Sequence, residues 1–87
     1  MVLLQVAAHA GNIRFGMVVS KRVGKAHDRN KAKRRLRTIC RQWLPRLRDS
    51  YDIVLVARPG AATVEFAQLE VAVGALFRRA GLLSTAP

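Results

Sequence analysis

The residues equipped for chemistry lie almost wholly between Ser20 and Arg48, in the stretch SKRVGKAHDRNKAKRRLRTICRQWLPRLR. It holds twelve of the sixteen lysines and arginines: Lys21, Arg22, Lys25, Arg29, Lys31, Lys33, Arg34, Arg35, Arg37, Arg41, Arg46 and Arg48. With Asp28 as its only acid, the stretch carries a formal +11, and the rest of the chain sums to zero. Cations at this density recognise a polyanion, nucleic acid ahead of an anionic membrane surface. Arginine outnumbers lysine here, which favours forked, two-pronged phosphate contacts over diffuse attraction. Asn30, set among the charges, adds a neutral group able to donate and accept at a ribose or base edge.

The spacing turns this run into a surface. Ala32, Leu36, Ile39, Cys40, Trp43 and Leu47 recur at the three-to-four interval of one helix face. At about 100° per residue, Asn30, Arg34, Arg37, Arg41 and Arg48 fall on the opposite side, with Lys33 on one flank and Lys31 and Arg35 on the other. Solvated helices usually mix signs for i,i+4 pairing, whereas Lys33, Arg37 and Arg41 repeat one sign and so do Lys31 and Arg35. Such repulsion needs an anionic partner to offset it.

Other chemistries lack their residues. The five acids are scattered through four separate elements, so no paired carboxylates for acid–base work are visible. His9 and His27 have no Cys, His or Asp spacing that makes a metal site. Val23-Gly24-Lys25 resembles the tail of a phosphate-binding loop, but Val19 stands where that loop needs its first glycine. Cys40 lies in the apolar stripe as a buried thiol, and a single cysteine leaves no internal disulfide. We assign no catalytic and no metal-ligating residue.

The elements that must position the basic face belong to one domain spanning residues 1–87, with 51% apolar residues. No apolar run reaches the roughly 20 residues of a membrane span, and the first eight residues lack the features of a secretory signal. The expected compartment is the cytoplasm. Val2 to Ala8, a turn at His9 to Asn12 and the alternating Ile13 to Val19 predict a β-hairpin. Ser20 to Asp28 reads as a loop, with Asp28 as N-cap of a helix over Arg29 to Leu44 that Pro45 ends. Tyr51 to Ala57 is a β-branched run expected in the centre of the sheet with both faces covered. Thr63 is the expected N-cap of a second helix whose stripe is Phe66, Leu69, Val73, Leu76, Phe77 and Ala80, ended by Gly81. Leu82 to Pro87 is expected to fray. Trp43 is a candidate for base stacking, but its angle puts it with Leu36 and Ile39, so it is expected in the core. Phe15 is either a stacking platform for single-stranded nucleic acid or a residue under a helix.

Arg14-Phe15-Gly16-Met17-Val18-Val19-Ser20-Lys21-Arg22-Val23-Gly24-Lys25-Ala26, followed by Arg29-Asn30-Lys31-Ala32-Lys33-Arg34-Arg35-Leu36-Arg37, closely resembles the arginine–asparagine-rich signature of the bacterial ribonuclease P protein subunit. YDIVLVARPG and LFRRAGL also fit, so the resemblance covers nearly all of the chain. It implies an α+β fold, a two-layer α/β sandwich of order ββαβα with a left-handed βαβ crossover, akin to domain 2 of ribosomal protein S5. Relatives usually carry a further N-terminal helix and strand, and the expectation is a truncated chain or a start placed too far downstream. Leu4 stands where many relatives have an aromatic residue, Ala32 where they have a larger aliphatic, and Thr38 where an acid or amide is frequent.

The resemblance also implies function. The partners are the ribonuclease P RNA and precursor tRNA, the RNA performs Mg²⁺-dependent removal of the 5′ leader, and Mg²⁺ is held mainly by that RNA. Lys21, Arg22, Lys25, Arg29, Asn30, Lys33, Arg34 and Arg37 carry over as RNA contacts, joined by Lys31 and Arg41 from the same helix, with Phe15 as a leader-binding candidate. The alternative is a stand-alone basic structural protein, ribosome- or nucleoid-associated.

Overall fold

The computed structural model describes residues 2–8 and 11–83. The chain runs β1 (Val2–Ala8), β2 (Arg14–Val19), α1 (Ala26–Trp43), β3 (Tyr51–Ala57) and α2 (Phe66–Arg79), with short 3₁₀ turns at Lys21–Val23 and Leu44–Arg46. The three strands form one sheet in the order β1-β3-β2. Both helices pack on one face of it, which gives the expected two-layer α+β sandwich.

The expected hairpin does not form. β1 pairs antiparallel with β3, and β2 pairs parallel with β3, so the long β-branched strand separates the first two. Alternation assigns the faces of a strand but not its neighbour. The β1–β2 connection is instead tied to the segment that leads into β3. Ser50, at φ 72°, donates its backbone N–H to Gly11 O at 3.0 Å, and Asp49 Oδ1 accepts from Ile13 N at 3.4 Å. His9 and Ala10, the first half of the expected turn, lie outside the described residues.

Register fixes which side chains meet the helices. Val2, Leu4 and Val6 on β1 stand beside Ala57, Leu55 and Ile53, and Val19, Met17 and Phe15 on β2 stand beside the same three. Ile53, Leu55 and Ala57 are fully buried there, whereas Val54 and Val56 on the opposite face are only half-buried. The covering of β3 is thus one-sided among the described residues, although its central position is as expected. On the open face Arg14 and Asp52 form a forked ion pair at 2.6 and 2.7 Å, and its hydrogen bonds push the guanidinium further up.

The helix starts move. α1 begins at Ala26, with Lys25 at the cap and no side-chain cap bond, so Asp28 sits in the first turn instead of capping it. Asp28 lies over Gly24, where a Cβ would stand 2.6 Å from Oδ2, and Gly24 has φ 144°. Only glycine fits that bend. α2 begins at Phe66 with Glu65 at the cap, not Thr63, because Thr63 and Val64 are spent closing a turn onto Gly60 O. Its far end is as expected: Gly81 at φ 70° and the bonds Gly81 N to Arg78 O and Leu82 N to Phe77 O make a Schellman ending. Leu82 is buried, its O accepts from Arg48 N at 2.8 Å, and Leu83 bridges to Leu47, so this part of the tail is not frayed. Ser84 to Pro87 lie outside the described residues. Ala80, expected in the α2 stripe, is exposed.

The core joins Ala32, Leu36, Ile39 and Cys40 of α1 to Ile53, Leu55 and Ala57 of β3 and to Leu69, Val73 and Phe77 of α2. Trp43 lies at the helix–helix contact, edge-on to Phe77 at 5.9 Å and against the backbone at Gly74, where an added Cβ would stand 2.7 Å from Cζ2. Leu36→Ala should lower unfolding free energy by about 2–5 kcal/mol. Gly74→Ala, normally helix-stabilising, should instead destabilise by about 1–3 kcal/mol through overpacking against Trp43. Urea melts of the two variants check both signs.

Candidate nucleic-acid interface

With Ala32, Leu36, Ile39 and Cys40 buried, the rotation of α1 is set, and Asn30, Lys33, Arg34, Arg37 and Arg41 all stand exposed. His27, Asn30, Lys33, Arg34 and Arg37 line a basin of about 480 Å³ on the helix surface. Lys33, Arg37 and Arg41 also wall a cleft of about 350 Å³ whose other side is Phe15 and Met17 of β2, with Cys40 and Leu44 completing it. A third hollow, of about 410 Å³, lies between Met17, Val18 and Val19 and the start of α1 at Ala26, Arg29, Asn30 and Lys33. Lys33 faces all three, so the basic face and the sheet edge make one continuous surface.

The sequence-predicted residues divide by position. Lys21 and Arg22 occupy the 3₁₀ turn and Lys25 the cap of α1, all exposed, beside a helix start whose amides no side chain caps. An uncapped helix start surrounded by cations favours a negative group there. Arg29 is half-buried, and its Nε is buried without a hydrogen-bond partner. Lys31 is half-buried and stands a quarter-turn from Asn30, apart from the basin. Phe15 is half-buried on the helix-facing side of β2, where its ring forms the cleft wall. Trp43 packs between the helices, as expected.

Met17, Cys40 and Leu44 complete the cleft and were not singled out for it from sequence. Met17 shares a strand face with Phe15, and that alternation was the available signal. Arg35 takes a different role: its Nη1 donates to Ala61 O at 3.3 Å and Val64 O at 2.5 Å, so it ties α1 to the β3–α2 connection.

Among the described residues the ion pair is the one on the open sheet face, and Lys33, Arg34, Arg37 and Arg41 have no carboxylate partner. No three of the described His, Cys, Asp and Glu residues gather into a metal-holding group. No described helix is long and apolar enough to cross a membrane. Burial pushes the Cys40 thiol up to about 12 from 9.0, so it offers no thiolate near neutrality. The neutral thiol favours the native state below about 9, and that contribution is lost as pH rises from there towards 12, since only the unfolded chain ionises readily in that window. Cys40 should therefore resist a disulfide-exchange reagent at pH 8 in the native protein and react fully in denaturant. Arg35→Ala should lower stability by about 1–3 kcal/mol in a urea melt and leave RNA affinity unchanged.

The Ribonuclease P family profile matches residues 1–81. A ribonuclease P protein component of Symbiobacterium thermophilum is 47% identical over 70 residues, covering 80% of this chain and 61% of that protein. One of Chloroflexus aurantiacus is 43% identical over 84 residues, covering 95% and 62%. The chain thus spans a little over three fifths of the length of these relatives. The solved RNase P protein of Thermotoga maritima superposes with a TM-score of 0.80 at 28% identity, over 90% of this chain and 78% of that one. A Staphylococcus aureus RNase P protein mutant, at 24% identity over 93% of this chain and 70% of its own, shares the fold with a TM-score of 0.83. A profile match along nearly the whole chain places it plainly: the chain belongs to the ribonuclease P protein family.

Proposed function

We propose that this chain is the RNA-docking protein component of ribonuclease P, a cytoplasmic ribonucleoprotein endonuclease that removes the 5′ leader of precursor tRNA. The observation that carries the reading is the row Asn30, Lys33, Arg34, Arg37 and Arg41, held outward by a buried helix back and left without carboxylate partners. A row of guanidinium groups about one turn apart grips phosphates of a folded RNA, and that RNA is the ribonuclease P RNA. Lys21, Arg22, Lys25, Arg29 and Lys31 extend the contact at the helix start.

The cleft deepens the reading. Phe15 and Met17 offer an apolar wall to a base, and Lys33, Arg37 and Arg41 face it with charge suited to a single strand. The 5′ leader of the precursor is the strand proposed for it. The reading leaves the Mg²⁺ chemistry to the RNA, and no step is routed through this chain. Its own contribution is electrostatic. A chain with a formal charge of +11 offsets phosphate repulsion between two RNAs, which otherwise falls to divalent ions.

Cleavage of a precursor tRNA by the cognate RNA at low Mg²⁺ tests this, with and without the chain and with long and very short leaders. Rescue should appear, and should grow with leader length if the cleft holds the leader. No rescue, with RNA binding intact, would favour a stand-alone structural protein. Affinity for the RNA should fall about 10³ to 10⁵-fold between about 50 and 200 mM salt if about 6–10 phosphates are contacted. Arg34→Ala and Arg37→Ala should each weaken RNA binding in a filter-retention assay while leaving the melting temperature in place.

A further inference from the structure

Behind the basic face lies a second arrangement of arginine and aromatic. Trp43 closes α1, Arg46 follows in the 3₁₀ turn, and Arg78 comes from the last turn of α2. The guanidinium carbon of Arg46 stands 4.9 Å from the Trp43 ring centroid and that of Arg78 5.6 Å from it. Both arginines line a groove of about 420 Å³ with Gln42, Trp43, Glu70 and the exposed Val71. Glu70 is the groove's one acid, two helical turns from Arg78, and no ion pair joins it to either arginine.

Trp43 follows Arg34 by nine residues, about 900° of rotation, which puts it half a turn around α1 from the centre of the basic face. A strand lying on Arg34 and Arg41 therefore does not also reach the groove. Helix packing explains the indole, which needs Gly74 beneath it, but it does not require two cations from different elements at the outer side of that ring.

We infer that the groove around Trp43, Arg46 and Arg78 is a second nucleic-acid site, which holds a phosphodiester strand of RNA on the side of α1 away from its basic face. The inference rests on the reading of the chain as an RNA-docking subunit. A guanidinium laid against an indole keeps its N–H edge outward, and such an edge takes a phosphate in two-pronged fashion. The exposed Val71, beside the arginine-covered indole, gives an apolar patch against which a base can rest, and the Gln42 amide can donate to or accept from it. An acidic peptide would satisfy the arginines alike but would leave the apolar patch at Val71 unused. With both sites filled, the protein clasps RNA from two sides of one helix.

Trp43 is the only tryptophan, so its emission reports on this groove alone. Titration with the ribonuclease P RNA transcript should quench it in step with binding measured by filter retention. In Arg46→Gln/Arg78→Gln the quench should disappear, and the slope of log affinity against log salt should become shallower by about 1.4 to 1.8, the share of two phosphates. An unchanged slope, or silent emission while the RNA is retained, would overturn the inference and leave the docking helix standing. Quenching by polyglutamate but not by RNA would overturn it in favour of an acidic protein partner. Failure of the wild-type chain to retain the RNA at all would sink the functional reading itself. If the double variant does not fold, protection of Arg46 and Arg78 from phenylglyoxal in the wild-type complex decides, with unprotected arginines counting against the site.

Discussion

The structure depends on how the back of α1 seats against the sheet. Ala32, Leu36 and Ile39 are wholly excluded from water and Cys40 nearly so. Leu36 and Ile39 are each worth about 1.5–3 kcal/mol when buried. A rotation by one residue would exchange some of them for Lys33 and Arg37, and burying an unpaired charge costs several kcal/mol for each ion. The helix consequently has one rotational setting, and the same apolar contacts that hold it fix the direction of every guanidinium on its outer side. The basic face is a consequence of the core.

That coupling explains what was legible beforehand. A stripe at helical spacing carries both halves of the argument, since the apolar positions give the packing and the remainder must face out. The central position of β3 was equally visible in its unbroken β-branched run. Partner choice within the sheet was not, because β1 and β2 pair with a strand more than thirty residues away from either. Gly11, Asp49 and Ser50 hold that arrangement through single hydrogen bonds, which leave no periodic trace in a sequence. The helix starts were misplaced for a related reason. Asp28 and Thr63 are good capping residues, yet Gly24 and the Gly60 turn use the neighbouring backbone first, so tertiary geometry overrode local preference.

The candidate site was legible as a list of charges more than as a shape. Periodicity separated Asn30, Arg34, Arg37 and Arg41 from the core but gave no means of seeing that Lys33, Arg37 and Arg41 share a cleft with Phe15 and Met17. That juxtaposition needs β2 beside α1, a tertiary fact. Nor did charge alone distinguish Arg35, whose guanidinium is spent on two carbonyl oxygens of the β3–α2 connection. Composition counts arginines, whereas the fold assigns them to structure, to the basic face or to the groove at Trp43.

The like charges of α1 are not mutually relieved within the fold. Lys33, Arg37 and Arg41 repeat at i,i+4, and each such pair opposes the helix by roughly 0.2–0.5 kcal/mol. Lys25 and Arg29 stand at the positive end of the helix dipole, which opposes them as well. Individually these terms are small beside the burial of Leu36 and Ile39, so the free chain can keep its helix. Their sum is nevertheless a standing repulsion that only anions outside the protein can discharge. Phosphates laid along the face remove it, and the repulsion then becomes part of the binding free energy. A helix of mixed charges would make a more comfortable free protein, but it would have less to gain from a polyanion.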